Sequence, residues 1–152
     1  MLYPNIPKNN LTPYIEKLVN TCKILLEDEG EGYNQESFKF SSSVTEEEIN
    51  CWEKENNISI PTSYKEWLMF SNGVNLCNSM VELYSLNDLI VDNEKKPYNV
   101  PDDFVVVGEF TAIEETYCFS CATGAFKVFR EYEEIEVADF RSILGWINDR
   151  IG

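Results

Sequence analysis

The sequence predicts an α+β fold: a single domain with a largely antiparallel sheet and helices packed mainly on one side. Three observations carry that expectation. Apolar residues recur at helical spacing near both ends of the chain and again between Thr45 and Gly73. Between Met80 and Val137 the pattern changes to short apolar or alternating runs of strand length. Two of those runs flank Thr123-Gly124 as a hairpin would. No repeat or linker interrupts the 152 residues, which are enough to bury a full core. Residues 1–152 are therefore read as one unit, with an N-terminal helix and extended segment in 1–43 and the main core in 44–152.

Thr12-Pro13 is a suitable N-cap and first-turn pair for the opening helix. Ile15, Leu18, Val19, Cys22, Leu25 and Leu26 then follow the i, i+3, i+4, i+7 rule for one buried face. Acidic residues and two glycines break the pattern from Glu27 to Gly32. Phe38 and Phe40, two apart, suit an edge strand or a loop packed onto the core.

Thr45-Glu46-Glu47-Glu48 has the form of a capping box, in which Thr45 and Glu48 satisfy each other's backbone N–H groups. Its three carboxylates also favour the positive end of the helix dipole. Ile49 and Trp52, with Cys51 beside them, form the apolar stripe, and Asn56-Asn57 suits the exit. Pro61 biases Ile60 toward an extended conformation. Thr62 or Ser63 is the expected cap of a second helix carrying Tyr64, Trp67, Leu68 and Phe70. Asn72-Gly73 is expected to close it in the left-handed conformation.

Met80–Tyr84 alternates like a strand, and Leu86–Ile90 reads as one helical turn. Asp92–Asp103 is polar, holds two prolines and reads as a mobile loop. Phe104–Gly108 is an apolar run of the kind found in central strands. Thr116–Ala122 and Ala125–Tyr132 form the hairpin, with a short strand near Glu134–Val137. Asp139 opens a last helix with Phe140, Ile143, Leu144 and Ile147 on one face; Trp146 lies partly off that stripe.

The ordered residues Thr45, Glu47, Glu48, Ile49, Pro61, Tyr64, Trp67, Leu68, Asn72 and Gly73 resemble the pattern of the SUKH superfamily, also described as the Smi–Knr-like domain. That pattern is an acidic "T-x-E-E-I" helix followed by "ϕ-P-x-x-Y-x-x-F/W-L-x-x-x-N-G". Trp67 stands where Phe is commoner. These motif residues, with Trp52, are expected to build the fold more than to meet a partner. For a bacterial chain the resemblance implies an immunity protein that binds and neutralises a cognate toxin, often a nuclease. Fungal members imply an alternative role, a non-enzymatic regulatory scaffold for protein interactions; they usually carry long flanks, of which this chain shows almost none. A small-ligand-binding domain is a third reading.

The charge suits the first role. Formal net charge is −15, with 27 acidic against 12 basic residues. Such a surface repels nucleic acid and phosphate-rich membrane, so neither is an expected direct partner, and it attracts a basic protein such as a nuclease. The expected contact residues are Glu114, Glu115, Glu131, Glu133, Glu134 and Glu136, with Tyr117 and Tyr132 as aromatic anchors. Plain solubility is the competing explanation for each charge. Oligomeric state stays open.

Catalysis has little support. The chain has no histidine, which removes the commonest general base and the Ser-His and Cys-His pairs. It has no GxGxxG or P-loop sequence, and its carboxylates lie in runs typical of solvated faces. No enzyme activity, cofactor or metal is expected. Cys118-x-x-Cys121 falls in a strand pattern, where positions i and i+3 face opposite ways, so packing is its expected role. MLYPNIPKNN lacks the form of an export signal and no apolar stretch is long enough to span a bilayer. The five cysteines, Cys22, Cys51, Cys77, Cys118 and Cys121, are accordingly expected as reduced thiols of a cytoplasmic protein.

Overall fold

The computed structural model describes residues 9–30, 38–89, 96–97 and 99–152. In chain order these form α1 (Thr12–Asp28), β1 (Lys39–Phe40), α2 (Glu46–Asn56), α3 (Thr62–Leu68), β2 (Val74–Leu76) and β3 (Val81–Leu83). There follow β4 (Phe104–Phe110), β5 (Glu115–Ser120), β6 (Phe126–Arg130), β7 (Glu133–Val137) and α4 (Phe140–Ile151). The seven strands make one sheet in sequence order, each antiparallel to the next. The α+β expectation is met, and its hairpin is β5–β6. A 3₁₀ turn at Leu86–Asp88 stands where a helical turn was expected; Ile90 lies outside the described residues. So does part of the polar Asp92–Asp103 stretch, although Val100 within it is buried.

Aromatic residues join helices to sheet. Tyr64 and Phe140 lie 5.1 Å apart between ring centroids, Tyr64 and Phe119 6.1 Å, and Phe126 and Phe140 6.0 Å. Trp67 stacks on Phe70 at 5.5 Å. Each pair adds about 0.5–1.5 kcal/mol beyond area burial. The aromatic stripe of the motif is thus core, and the Tyr64 hydroxyl donates to the Tyr84 carbonyl at 3.2 Å. Arg141 of α4 clasps Glu66 of α3 with two hydrogen bonds of 2.9 and 3.0 Å. Thr21 of α1 donates to Asn148 of α4 at 2.6 Å.

The capping box forms as expected: Thr45 Oγ1 accepts the Glu48 N–H at 3.1 Å, and the Glu48 carboxylate accepts the Thr45 N–H at 3.2 Å. Asn57 closes α2 with φ 52°. Cys51 is exposed, so the buried stripe of this helix is Ile49 and Trp52 alone.

Other local expectations gave way to tertiary partners. Leu11, not Thr12, is the N-cap of α1, because the Thr12 hydroxyl accepts the Asn9 N–H outside the helix. Neither Thr62 nor Ser63 caps α3; Pro61 holds that position, and the Ser63 hydroxyl accepts the N–H of distant Phe140. Asn72-Gly73 does not close α3, which ends at Leu68. Asn72 Oδ1 instead accepts the Leu86 N–H at 2.7 Å, and Gly73 (φ 87°) lets the chain pass close to Ser85. A Cβ at Gly73 would lie 2.8 Å from the Ser85 nitrogen.

The cysteine expectation is corrected. Cys22 of α1 and Cys77 of the β2–β3 turn are joined in a disulfide, their Cα atoms 5.4 Å apart across 55 residues of sequence. Helix α1 packs on α4 and so brings Cys22 to the end of β2, a proximity that spacing does not reveal. Cys51, Cys118 and Cys121 are free. No described helix is long and apolar enough to cross a membrane.

Candidate protein-binding surface

In a strand-by-strand meander, alternate turns emerge at the same end of the sheet. The β4–β5 and β6–β7 turns therefore lie together, either side of the β5–β6 pair. The first is a 3₁₀ turn at Thr111–Ile113, closed by Glu114 in the left-handed conformation (φ 54°). The second is the two-residue link Glu131-Tyr132. Between them opens a cleft of about 340 Å³ lined by Glu109, Glu114, Glu115 and Glu131, with Asn99 and Thr111 among its other walls.

The carboxylates differ in environment. Glu114 and Glu131 are exposed, and Glu109 is half-buried on β4 opposite Thr116. Glu115 is 1% exposed. Its Oε1 accepts the Trp146 indole N–H at 2.9 Å and the Tyr117 hydroxyl at 3.3 Å. Its Oε2 has no donor in hydrogen-bond alignment, but Arg150 Nε lies 3.2 Å away and Arg130 Nε 3.4 Å. Two guanidinium groups thus offset the desolvation of this carboxylate. Burial, reinforced by the Glu115 charge, pushes the Tyr117 phenol well above its ordinary range.

Two expected surface residues are therefore corrected. Glu115 is a buried hub joining α4 to the sheet, and Tyr117 is fully buried beside it. Neither offers its side chain as a surface contact, because alternation along β5 turns both toward the helices that cover the sheet. The remaining expected residues are exposed. Tyr132 is 88% exposed at the tip of the β6–β7 turn. Glu133, Glu134 and Glu136 follow along β7, an edge strand among the described residues. Lys127 of β6 lies 2.9 Å from Glu134, and that hydrogen bond holds its ammonium above the ordinary lysine value.

Glu109 was absent from the expected contact residues. The apolar run ahead of it suggested a strand ending at Gly108, whereas β4 continues to Phe110 past an irregularity between Val106 and Gly108. The pairing Glu109↔Thr116 then sets its carboxylate beside the Glu114 turn. Only the register discloses it.

Cys118 and Cys121 do not act together. Cys118 is buried in β5, where desolvation pushes its thiol up, and Cys121 is exposed in the following turn. Among the described residues no three Cys, Asp or Glu side chains are grouped to hold a metal ion.

Residues 43–143 match the model of the SMI1 / KNR4 family (SUKH-1). No curated protein matches the chain. The matched segment starts just before the capping box and ends within α4, taking in the whole sheet except β1 and leaving α1 outside. β1 is inside neither motif half, but its pairing with β2 attaches residues 39–40 to the same sheet. With the match covering more than half of its length, the motif residues Tyr64 and Trp67 in its core and Thr45 capping α2, the chain belongs to the SMI1 / KNR4 family (SUKH-1).

Proposed function

We propose that this protein is a non-catalytic immunity protein that binds and neutralises a cognate toxin, with a nuclease as the expected toxin class. The observation that carries the reading is the gathering of Glu109, Glu114 and Glu131 at one cleft, beside exposed Tyr132 and the glutamates of β7. A nuclease must present a basic surface to phosphate, and an acidic protein competes for that surface. Complementary charge accelerates encounter and makes it sensitive to salt. An exposed tyrosine among those charges is the residue type that anchors interfaces. We place its action in the cytoplasm, where a nuclease meets nucleic acid; the Cys22–Cys77 bond, of a kind uncommon in reducing compartments, has to withstand reduction there.

The direct test is co-expression with the product of the adjacent gene. The expected result is a toxic product whose effect is relieved and which co-purifies with this protein. A toxic neighbour that is neither bound nor relieved overturns the reading.

A further inference from the structure

We infer that β7 is a docking edge, on which an extended basic segment of the partner adds as an eighth strand. The inference rests on the acidic-surface reading above and specifies how the partner is held. Arg130 and Glu133 flank the two-residue turn and so form a hydrogen-bonded pair across it. Alternation then turns the backbone groups of Ile135 and Val137 inward, to Val128 and Phe126. The N–H and C=O groups of Glu134 and Glu136 point away from β6, and no described residue pairs with them. An unpaired edge of this kind is a template for strand addition.

Side-chain chemistry selects the occupant. Glu134 and Glu136 lie on one face of the strand, while half-buried Ile135 and Val137 lie on the other. A complementary strand therefore alternates lysine or arginine with aliphatic residues. A second copy of this chain would bring glutamates against glutamates, which disfavours self-pairing. The opposite edge, β1, has only two residues and cannot offer an equivalent surface.

A short synthetic peptide alternating lysine and valine is the probe, with calorimetry for affinity and amide hydrogen exchange for geometry. The expected result is binding with new protection of the Glu134 and Glu136 amides. N-methylation of the peptide amides that face β7 weakens binding about tenfold, the loss of one or two hydrogen bonds. Glu136→Pro removes one outward N–H, a change an edge strand accommodates, and weakens binding beyond the charge-only control Glu136→Gln. If Glu136→Pro fails to fold, the N-methylated peptide still decides, because the protein is unaltered. Binding with unprotected amides and indifference to N-methylation overturns strand addition and leaves the acidic surface standing. Absence of binding even at low salt overturns the docking edge; the acidic-surface reading falls separately, if charge reversal of Glu131, Glu133 and Glu134 leaves toxin binding unaltered.

Discussion

The indole N–H of Trp146, on the last helix, donates at 2.9 Å to the carboxylate of Glu115, at the first position of β5. Arg150, one helical turn beyond Trp146, reaches the other oxygen of the same carboxylate and lies over the Trp146 ring at 6.0 Å. This cluster fastens the C-terminal helix beneath the acidic cleft. It separates a glutamate that supports the fold from neighbouring glutamates that face solvent.

Glu115→Ala is expected to destabilise the protein by about 3 kcal/mol, the lower part of the range for breaking a buried ion pair. The lower part applies because Arg130 and Arg150 are 37% and 35% exposed and regain water once unpaired. Urea unfolding measures it. A loss within about 0.5 kcal/mol, as at an ordinary surface site, contradicts the hub.

Tyr132→Ala and the charge reversal of Glu131, Glu133 and Glu134 to Lys act on the exposed side. Tyr132→Ala leaves the melting temperature nearly unchanged and weakens toxin binding by about 2 kcal/mol, as an anchor tyrosine does. The triple reversal also flattens the dependence of association on salt. Unaltered affinity and unaltered salt dependence in the triple variant rule out this face.

Alkaline pH is expected to destabilise the fold through Tyr64 and Tyr117. Burial raises both phenols above the ordinary value of 10.0. Above pH 10 the unfolded chain releases these protons while the folded chain keeps them, so the unfolded state binds fewer protons and stability falls as pH rises. Each tyrosine contributes a slope of about 1.4 kcal/mol per pH unit. Tyr117→Phe should make the alkaline limb of the unfolding profile shallower; an identical limb refutes the assignment.

Loss of the Cys22–Cys77 bond, by Cys22→Ala with Cys77→Ala, is expected to cost about 4 kcal/mol for a loop of this length. Reductant should lower the wild-type melting temperature and leave the double variant unmoved. Equal sensitivity of the two proteins would indicate that no such bond forms.

Thr45→Ala and Gly73→Ala test the motif as architecture. The first removes the capping box, for about 1 kcal/mol. The second forces a Cβ to within 2.8 Å of the Ser85 nitrogen at φ 87°, and is the more damaging. Both should lower thermal stability while the folded protein binds its toxin as before. Weakened binding at unchanged stability would move the motif from scaffold to contact surface.

Local rules sufficed where the physics is local. Glu48 lies three residues from Thr45, within reach of its backbone, so the capping box could be read directly. Ile15, Leu18, Val19, Cys22 and Leu26 share one face of α1 by helical geometry alone. The hairpin around Thr123-Gly124 was equally legible; Gly124 supplies φ 75°, and the Ser120 hydroxyl accepts the Ala122 and Thr123 N–H groups. Of the candidate surface, Glu114, Glu131 and Tyr132 were legible because turns carry exposed polar residues.

Residue pattern alone disclosed the family, the α+β class, the principal helices and strands, and the acidic character of the surface. Tertiary structure decided which acidic residues belong to that surface. Glu115 resembles Glu114 in sequence, yet Trp146, Arg130 and Arg150 take it into the interior. Ser63 resembles a helix cap until Phe140, 77 residues away, supplies the N–H it accepts. Cys22 and Cys77 look like isolated thiols until α1 meets the end of β2. Periodicity and capping report interactions within about a turn of chain, whereas burial and pairing depend on what packs across the fold.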